Sequence, residues 1–173
     1  MLRKALTLVA LLFFCPIIAH PSEDAPLYSL GKNFAKRQEK EFAYMQFRDI
    51  VLHFPGSRFR EGALFATGEY FYSITDYTEA TKTFKQFSKE YPTSKNKIFA
   101  LGYLYKIAEI ENDEILTAKL RTELITLQQV SFVFRNSKQH IYRSPFHKSY
   151  RAVIRINRIA IDSEGEILAE ISY

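Results

Sequence analysis

The chain repeats itself every 37 residues. Phe54-Pro55-Gly56-Ser57 returns as Tyr91-Pro92-Thr93-Ser94, and the same step pairs Gly31 with Gly68, Phe34 with Phe71, Ala43 with Ala80 and Phe47 with Phe84. A second step extends two series, Leu27, Leu64 and Leu101, then Ser57, Ser94 and Ser131, and maps Asp76 onto Asp113. Matches gathered at apolar and turn positions require a fold built from one supersecondary unit, each copy burying its apolar face on its neighbour.

Each unit reads as two helices. Phe59 to Ser73 keeps Leu64, Phe65, Gly68, Phe71 and Tyr72 at helical spacing, Thr75-Asp76 is a turn and N-cap signal, and Tyr77 to Glu90 carries Tyr77, Ala80, Phe84 and Phe87 at steps of 3 or 4. Pro92 ends the second helix, because the residue before a proline is pushed out of the α region. The first unit does the same from Leu27 to Phe54. The third runs from Ile98 to about Val130, turns at Asn112-Asp113, lacks the proline, and has Arg121 where the earlier units have Phe47 and Phe84. A degenerate final unit is expected where a stack meets water or another module.

This pattern resembles the tetratricopeptide repeat family. The first unit supplies Leu27, Leu30, Gly31 and Phe34, then Ala43, Phe47, Ile50 and Pro55; the second supplies Leu64, Thr67, Gly68 and Phe71, then Ala80, Phe84, Phe87 and Pro92. The longer unit with its aromatic-Pro-x-Ser closure is similar to the BamD branch of outer-membrane assembly lipoproteins and to YbgF-type periplasmic Tol–Pal coordinators, chiefly over Phe47 to Glu109. BamD-like proteins carry more repeats, and YbgF-like proteins open with a coiled coil. The resemblance implies a mainly α protein, a right-handed α-solenoid of about three hairpins, whose first helices line a concave groove for a partner protein.

The first twenty residues read as an address. Arg3 and Lys4 precede an apolar run from Ala5 to Cys15, Pro16 interrupts it, and Ala19 puts a small residue at the cleavage position. That is the pattern of a secretory signal peptide over residues 1–19. The run to Ala19 is too short for a membrane span, which needs about 20 apolar residues. Cys15 stands where a lipidation cysteine would, but Phe14 fits that pattern poorly, since a small residue belongs there. The expectation is an exported chain in the periplasm or at the periplasmic face of the outer membrane. Loss of Arg3 and Lys4 reduces the net charge of +5 to +3, which argues for no particular polyanion.

After about Ser131 the texture changes, so the expected division is a helical repeat domain over 27–130 and a small β-rich module over 132–173. Tyr150 to Ile156 and Arg158 to Ile161 are β-branched and partly alternating, Ser163-Glu164-Gly165 resembles a three-residue hairpin loop, and Glu166 to Ser172 is the returning strand. That loop would pair Ile161 with Ile167, Ile159 with Ala169 and Arg158 with Glu170. From Phe132 to Arg158 there are seven basic residues and no acidic ones; from Ile159 to Tyr173 there are four acidic residues and no basic ones. Neighbouring antiparallel strands would neutralise these halves, the reading favoured over a basic patch for an anionic polymer.

Chemistry is sparse. The single cysteine excludes an intrachain disulfide and a multi-cysteine metal site. No Gly-x-Ser-x-Gly, Walker or dinucleotide motif occurs. His140 and His147 lack a cysteine partner, and the carboxylates Glu109, Glu111, Asp113 and Glu114 fit a solvated helix end. No cofactor, metal, nucleic acid or small-molecule substrate is expected, nor catalysis. By register, the groove positions are Tyr28 and Lys32, then Phe65, Glu69 and Tyr72, then Phe99 and Lys106. Two readings of these aromatics stay open: anchors for a partner segment, or packing on neighbouring hairpins. The functional expectation is a non-catalytic adaptor binding envelope proteins, with peripheral membrane association open. The alternative is a wall-polymer or lipid-headgroup module using the basic stretch from Arg135 to Arg158.

Overall fold

The structure, a computed structural model, describes residues 23–129 and 137–172. The expected leader, Ser131 and Arg135 lie outside the described residues. Within them the chain is mainly helical, with an antiparallel sheet at its C-terminal end. The helices are α1 (Asp24–Lys36), α2 (Lys40–His53), α3 (Arg60–Ser73), α4 (Tyr77–Glu90), α5 (Lys97–Ile110) and α6 (Glu114–Gln129), each packed on the next in sequence.

The period of 37 is written into the backbone. The first helix of every hairpin ends on a residue in the left-handed region, Gln38 (φ 65°), Thr75 (φ 62°) and Asn112 (φ 55°). Around each, the same two bonds form: Gln38 N–H to Ala35 O and Glu39 N–H to Phe34 O, repeated from Thr75 to Tyr72 and Asp76 to Phe71, then from Asn112 to Glu109 and Asp113 to Ala108. This is a Schellman closure, which satisfies carbonyls that the helix end leaves open. Asp76 and Asp113 then cap the second helices, accepting from Glu79 N–H (3.1 Å) and Leu116 N–H (2.9 Å). Between hairpins, Ser57 Oγ accepts from Phe59 N–H and Ser94 Oγ from Asn96 N–H, each at 3.0 Å.

Gly31 and Gly68 show why the repeat keeps glycine there. A Cβ on either would lie 2.7 Å from the ring of Phe47 or Phe84. The third unit replaces this pairing with Tyr105 and Arg121. Its glycine, Gly102, instead faces the sheet, against Ile161 and Leu168. The degenerate hairpin is therefore where the second module docks.

The sheet is a meander in the order β1 (Ser137–Arg143), β2 (Ser149–Arg155), β3 (Arg158–Ser163), β4 (Glu166–Ser172), antiparallel throughout. Strand β1 was not expected. Its residues SKQHIYR have little β-branched content, and the strand forms because its inward residues have aromatic partners on the helices. The expected β3–β4 register is corrected. The loop is the two-residue Glu164-Gly165, both with positive φ (51° and 95°), as a type I′ hairpin requires. Ser163 pairs with Glu166 and Asp162 with Ile167; beyond an irregularity, Ile161 pairs with Ala169, Ile159 with Ile171 and Arg158 with Ser172. The extra residue is Leu168, so Leu168 and Ala169 are buried side by side. Arg158 and Glu170 still form an ion pair at 2.6 Å, now as diagonal neighbours.

The sheet's inner face (Tyr150, Ala152, Ile154, Ile159, Ile161, Leu168 and Ile171) is buried with α3, α4, α5 and α6 in one apolar cluster. A second cluster joins α1, α2 and the start of α3 through Ala35, Ala43, Phe47, Ile50 and Ala63. The second and third hairpins thus share a core with the sheet, as the small size of each demands.

Candidate functional site

The seven expected groove residues have different fates. Phe65 and Phe99 are fully buried, and the sheet covers them. Phe65 meets the rings of Tyr142 and Tyr150 edge-on, at 5.2 and 5.6 Å between centroids, while Phe99 stacks on His140 and Tyr142. Of the two readings, packing describes these two aromatics, though against the C-terminal strands as well as the neighbouring hairpins. Tyr72 is half-buried and its hydroxyl donates to Glu166 of β4 (2.6 Å). Tyr28 is half-buried and stacks on Phe59. Lys32 is exposed and Lys106 half-exposed. The face expected to hold a partner segment holds the chain's own sheet.

Glu69 is the unexpected member. It is 1% exposed, in the middle of α3, beneath the β1–β2 connection. The Tyr150 hydroxyl donates to its Oε1 at 2.5 Å, and the Tyr103 and Tyr150 hydroxyls lie 2.6 Å apart. Tyr150 has one proton and spends it on the carboxylate, so Tyr103 donates to Tyr150. The order is Tyr103 to Tyr150 to Glu69, linking α5, β2 and α3. Ser144 acts on the carboxylate as a hydrogen-bonding neighbour, yet neither Glu69 Oε2 nor Ser144 Oγ completes a well-aligned bond.

Burial pushes the Glu69 carboxyl up from 4.5 to about 7, against the pull of the Tyr150 hydrogen bond, Lys148 and Ser144, with Glu164 adding to the rise. Burial also holds the Tyr103 and Tyr150 hydroxyls well above the ordinary tyrosine value, with the Glu69 charge adding to it. A tyrosine held that high stays protonated near neutral pH and presents no phenolate base, and Glu69 lines a narrow crevice with Lys40, Tyr70, Ser73, Phe146 and Lys148. The arrangement ties the sheet to the helices through a polar chain and offers no nucleophile paired with a base. Among the described residues no group of three or more His, Cys, Asp or Glu could hold a metal ion, and no helix is long and apolar enough to cross a membrane.

Two surface features were missed in the sequence. The outward side of α2 carries Phe42, Met45 and Leu52, which are 54%, 46% and 61% exposed. Their spacing of three and seven residues, opposite the buried Ala43, Phe47 and Ile50, was the available signal. The second is a basic crevice between α1 and the β1–β2 turn, assembled from segments more than a hundred residues apart and thus without a local signature. No protein-family model matches the chain, and no curated protein is significantly similar to it.

Proposed function

We propose that this chain is a non-catalytic protein-binding adaptor of the bacterial cell envelope, exported to the periplasm or to the periplasmic face of the outer membrane. In this reading the three hairpins form a right-handed α-solenoid of the tetratricopeptide type, related to the BamD and YbgF branch. The partner does not enter the groove. It docks on the outer side of α2.

The observation that supports this is the stripe of Phe42, Met45 and Leu52. Large apolar side chains clustered on the outer face of a helix mark interaction surfaces more often than scattered single ones do. Met adapts to irregular partners, and Phe supplies an anchor. Asp49 and Arg48 beside the stripe, 38% and 48% exposed at the side chain, would set the orientation of an amphipathic partner segment.

The test is photo-crosslinking from position 45 of the chain expressed in its own envelope, with Phe42→Ser plus Leu52→Ser as the comparison. A discrete protein adduct that the double substitution abolishes, with the melting transition unchanged, is expected. Adducts that persist in the double variant would sink the assignment of this face.

A further inference from the structure

The crevice between the C-terminal turn of α1 and the β1–β2 turn is lined by Lys32, Ala35, Lys36, Gln38, Arg143 and His147 and measures about 490 Å3. Every titratable residue in it is basic. Among the described residues, Lys32, Lys36 and Arg143 have no carboxylate within ion-pairing distance. Lys32 and Lys36 lie one turn apart on the same face of α1, a like-charge pair that costs stability. The helix dipole favours Lys36 in the last turn. It does not account for Arg143 and His147 being folded onto the same spot.

Two other cations of the basic tail behave differently. Arg151 pairs with Asp162 at 3.0 Å and Arg158 with Glu170 at 2.6 Å, so the acidic strands neutralise them. Arg143 is turned instead towards two lysines. His147 is held with φ 63°, and its Nε2 lies 3.2 Å from the Lys32 carbonyl. A carbonyl only accepts, so Nε2–H is the donor, and the ring is pinned at the crevice. Uncompensated cations drawn from two distant segments around an open volume form an anion site.

We infer that this crevice binds a phosphate group, held between Lys32 and Lys36 of α1 and Arg143 and His147 of the β1–β2 turn. The Arg143 fork can take two phosphate oxygens at once, while the lysines act as point charges. The volume admits a substituent on the phosphate, so both a free anion and a lipid headgroup fit, and the two probes below tell them apart. This site is separate from the α2 face, and its fate is independent of the adaptor reading.

The test uses the purified chain with two probes at constant ionic strength: inorganic phosphate, followed by the imidazole resonances of His147, and phosphatidylcholine vesicles with or without phosphatidylglycerol, followed by co-sedimentation. The variants are Lys36→Ala plus Arg143→Ala, and Arg151→Ala as a control cation of the same sheet. Saturable binding that weakens at least tenfold in the double variant and less than twofold in Arg151→Ala is expected. If phosphate satisfies this, a free anion suffices; if only the anionic vesicles do, the headgroup is the source. Binding to neither probe, or equal weakening by Arg151→Ala, would overturn the site. All substituted side chains are exposed or paired only at the surface, and circular dichroism of each variant checks that the fold is retained.

Discussion

The Tyr150 hydroxyl, on a strand of the C-terminal sheet, donates a hydrogen bond to Glu69 in the middle of a repeat helix, 81 residues earlier in the chain. Tyr103 supports the same hydroxyl from the next repeat. One carboxylate is thereby held where the helices and the sheet meet, buried on all sides. A buried carboxylate with one oxygen satisfied and the other not is costly when charged, and the fold's response to pH follows from it.

Glu69 binds its proton more tightly in the folded chain, at about 7, than in the unfolded chain, near 4.5. Between those values the folded state holds more protons, so stability falls as pH rises through that window. The contribution of this one group is on the order of 3 kcal/mol, present in full below the lower value and lost by about pH 8. Urea melts of the native chain and of Glu69→Gln at pH 5 and pH 8 check it. The native chain should lose stability relative to Glu69→Gln on going to pH 8. A difference between the two that is the same at both pH values would show that the carboxyl is not proton-linked.

At Gly68 a Cβ would sit 2.7 Å from the Phe84 ring, whereas a Cβ on Gly56 meets nothing within 4 Å. Gly68→Ala should therefore destabilise by about 1–3 kcal/mol, through overpacking against a ring that is itself fully buried. Gly56→Ala should be near neutral. Thermal melts of the two variants make the comparison; equal effects would mean that the helices of the hairpin can shift apart freely.

Thr75 is an exposed β-branched residue at φ 62°. An L-residue pays about 1–2 kcal/mol in the left-handed region, and glycine does not. Thr75→Gly should raise stability by roughly 1 kcal/mol, offset in part by the added freedom of the unfolded chain. The same change at Asn112 should gain less, because asparagine tolerates this conformation. Chemical denaturation of both variants separates the cases, and a loss of stability at Thr75 would contradict the strain argument.

From Arg3, Lys4, the apolar run and Ala19, the expected product is an exported chain shortened by about 19 residues and without acyl groups. Intact mass of the protein recovered from the envelope reads this out directly. An acylated N-terminal cysteine would place it on a membrane instead.

The helical part of the fold was open to reading because its signals are local. Pro55 and Pro92 mark helix ends, Asp76 and Asp113 cap the helices that follow, and the spacing of Ala43, Phe47 and Ile50 marks an inward face, each within one or two turns of chain. The candidate site was legible only in part. Register correctly put Phe65, Glu69 and Tyr72 on one helix but carried no information on what would lie above them. Strand β1 escaped notice because Lys138, Gln139 and His140 have weak strand preference, and their pairing with Ile154, Val153 and Ala152 is a long-range choice. The β3–β4 register was misjudged because a one-residue bulge at Leu168 has no cost visible in the hairpin alone. It is favoured by what Leu168 touches, the bare face of Gly102 on α5.

Amino-acid order alone settles the repeat length, the hairpin turns, the inward faces of the second helices and the opposite charge of the two halves of the tail. These depend on backbone preference and periodicity, which act over a few residues. Only the tertiary structure decides that the sheet fills the face of the repeats, that Glu69 becomes a buried acid, and that Arg143 and His147 come to rest beside Lys32 and Lys36. Those outcomes depend on apolar area shared between segments far apart in the chain. The free energy of burying it is set by the shapes that meet, and no window of sequence contains both partners.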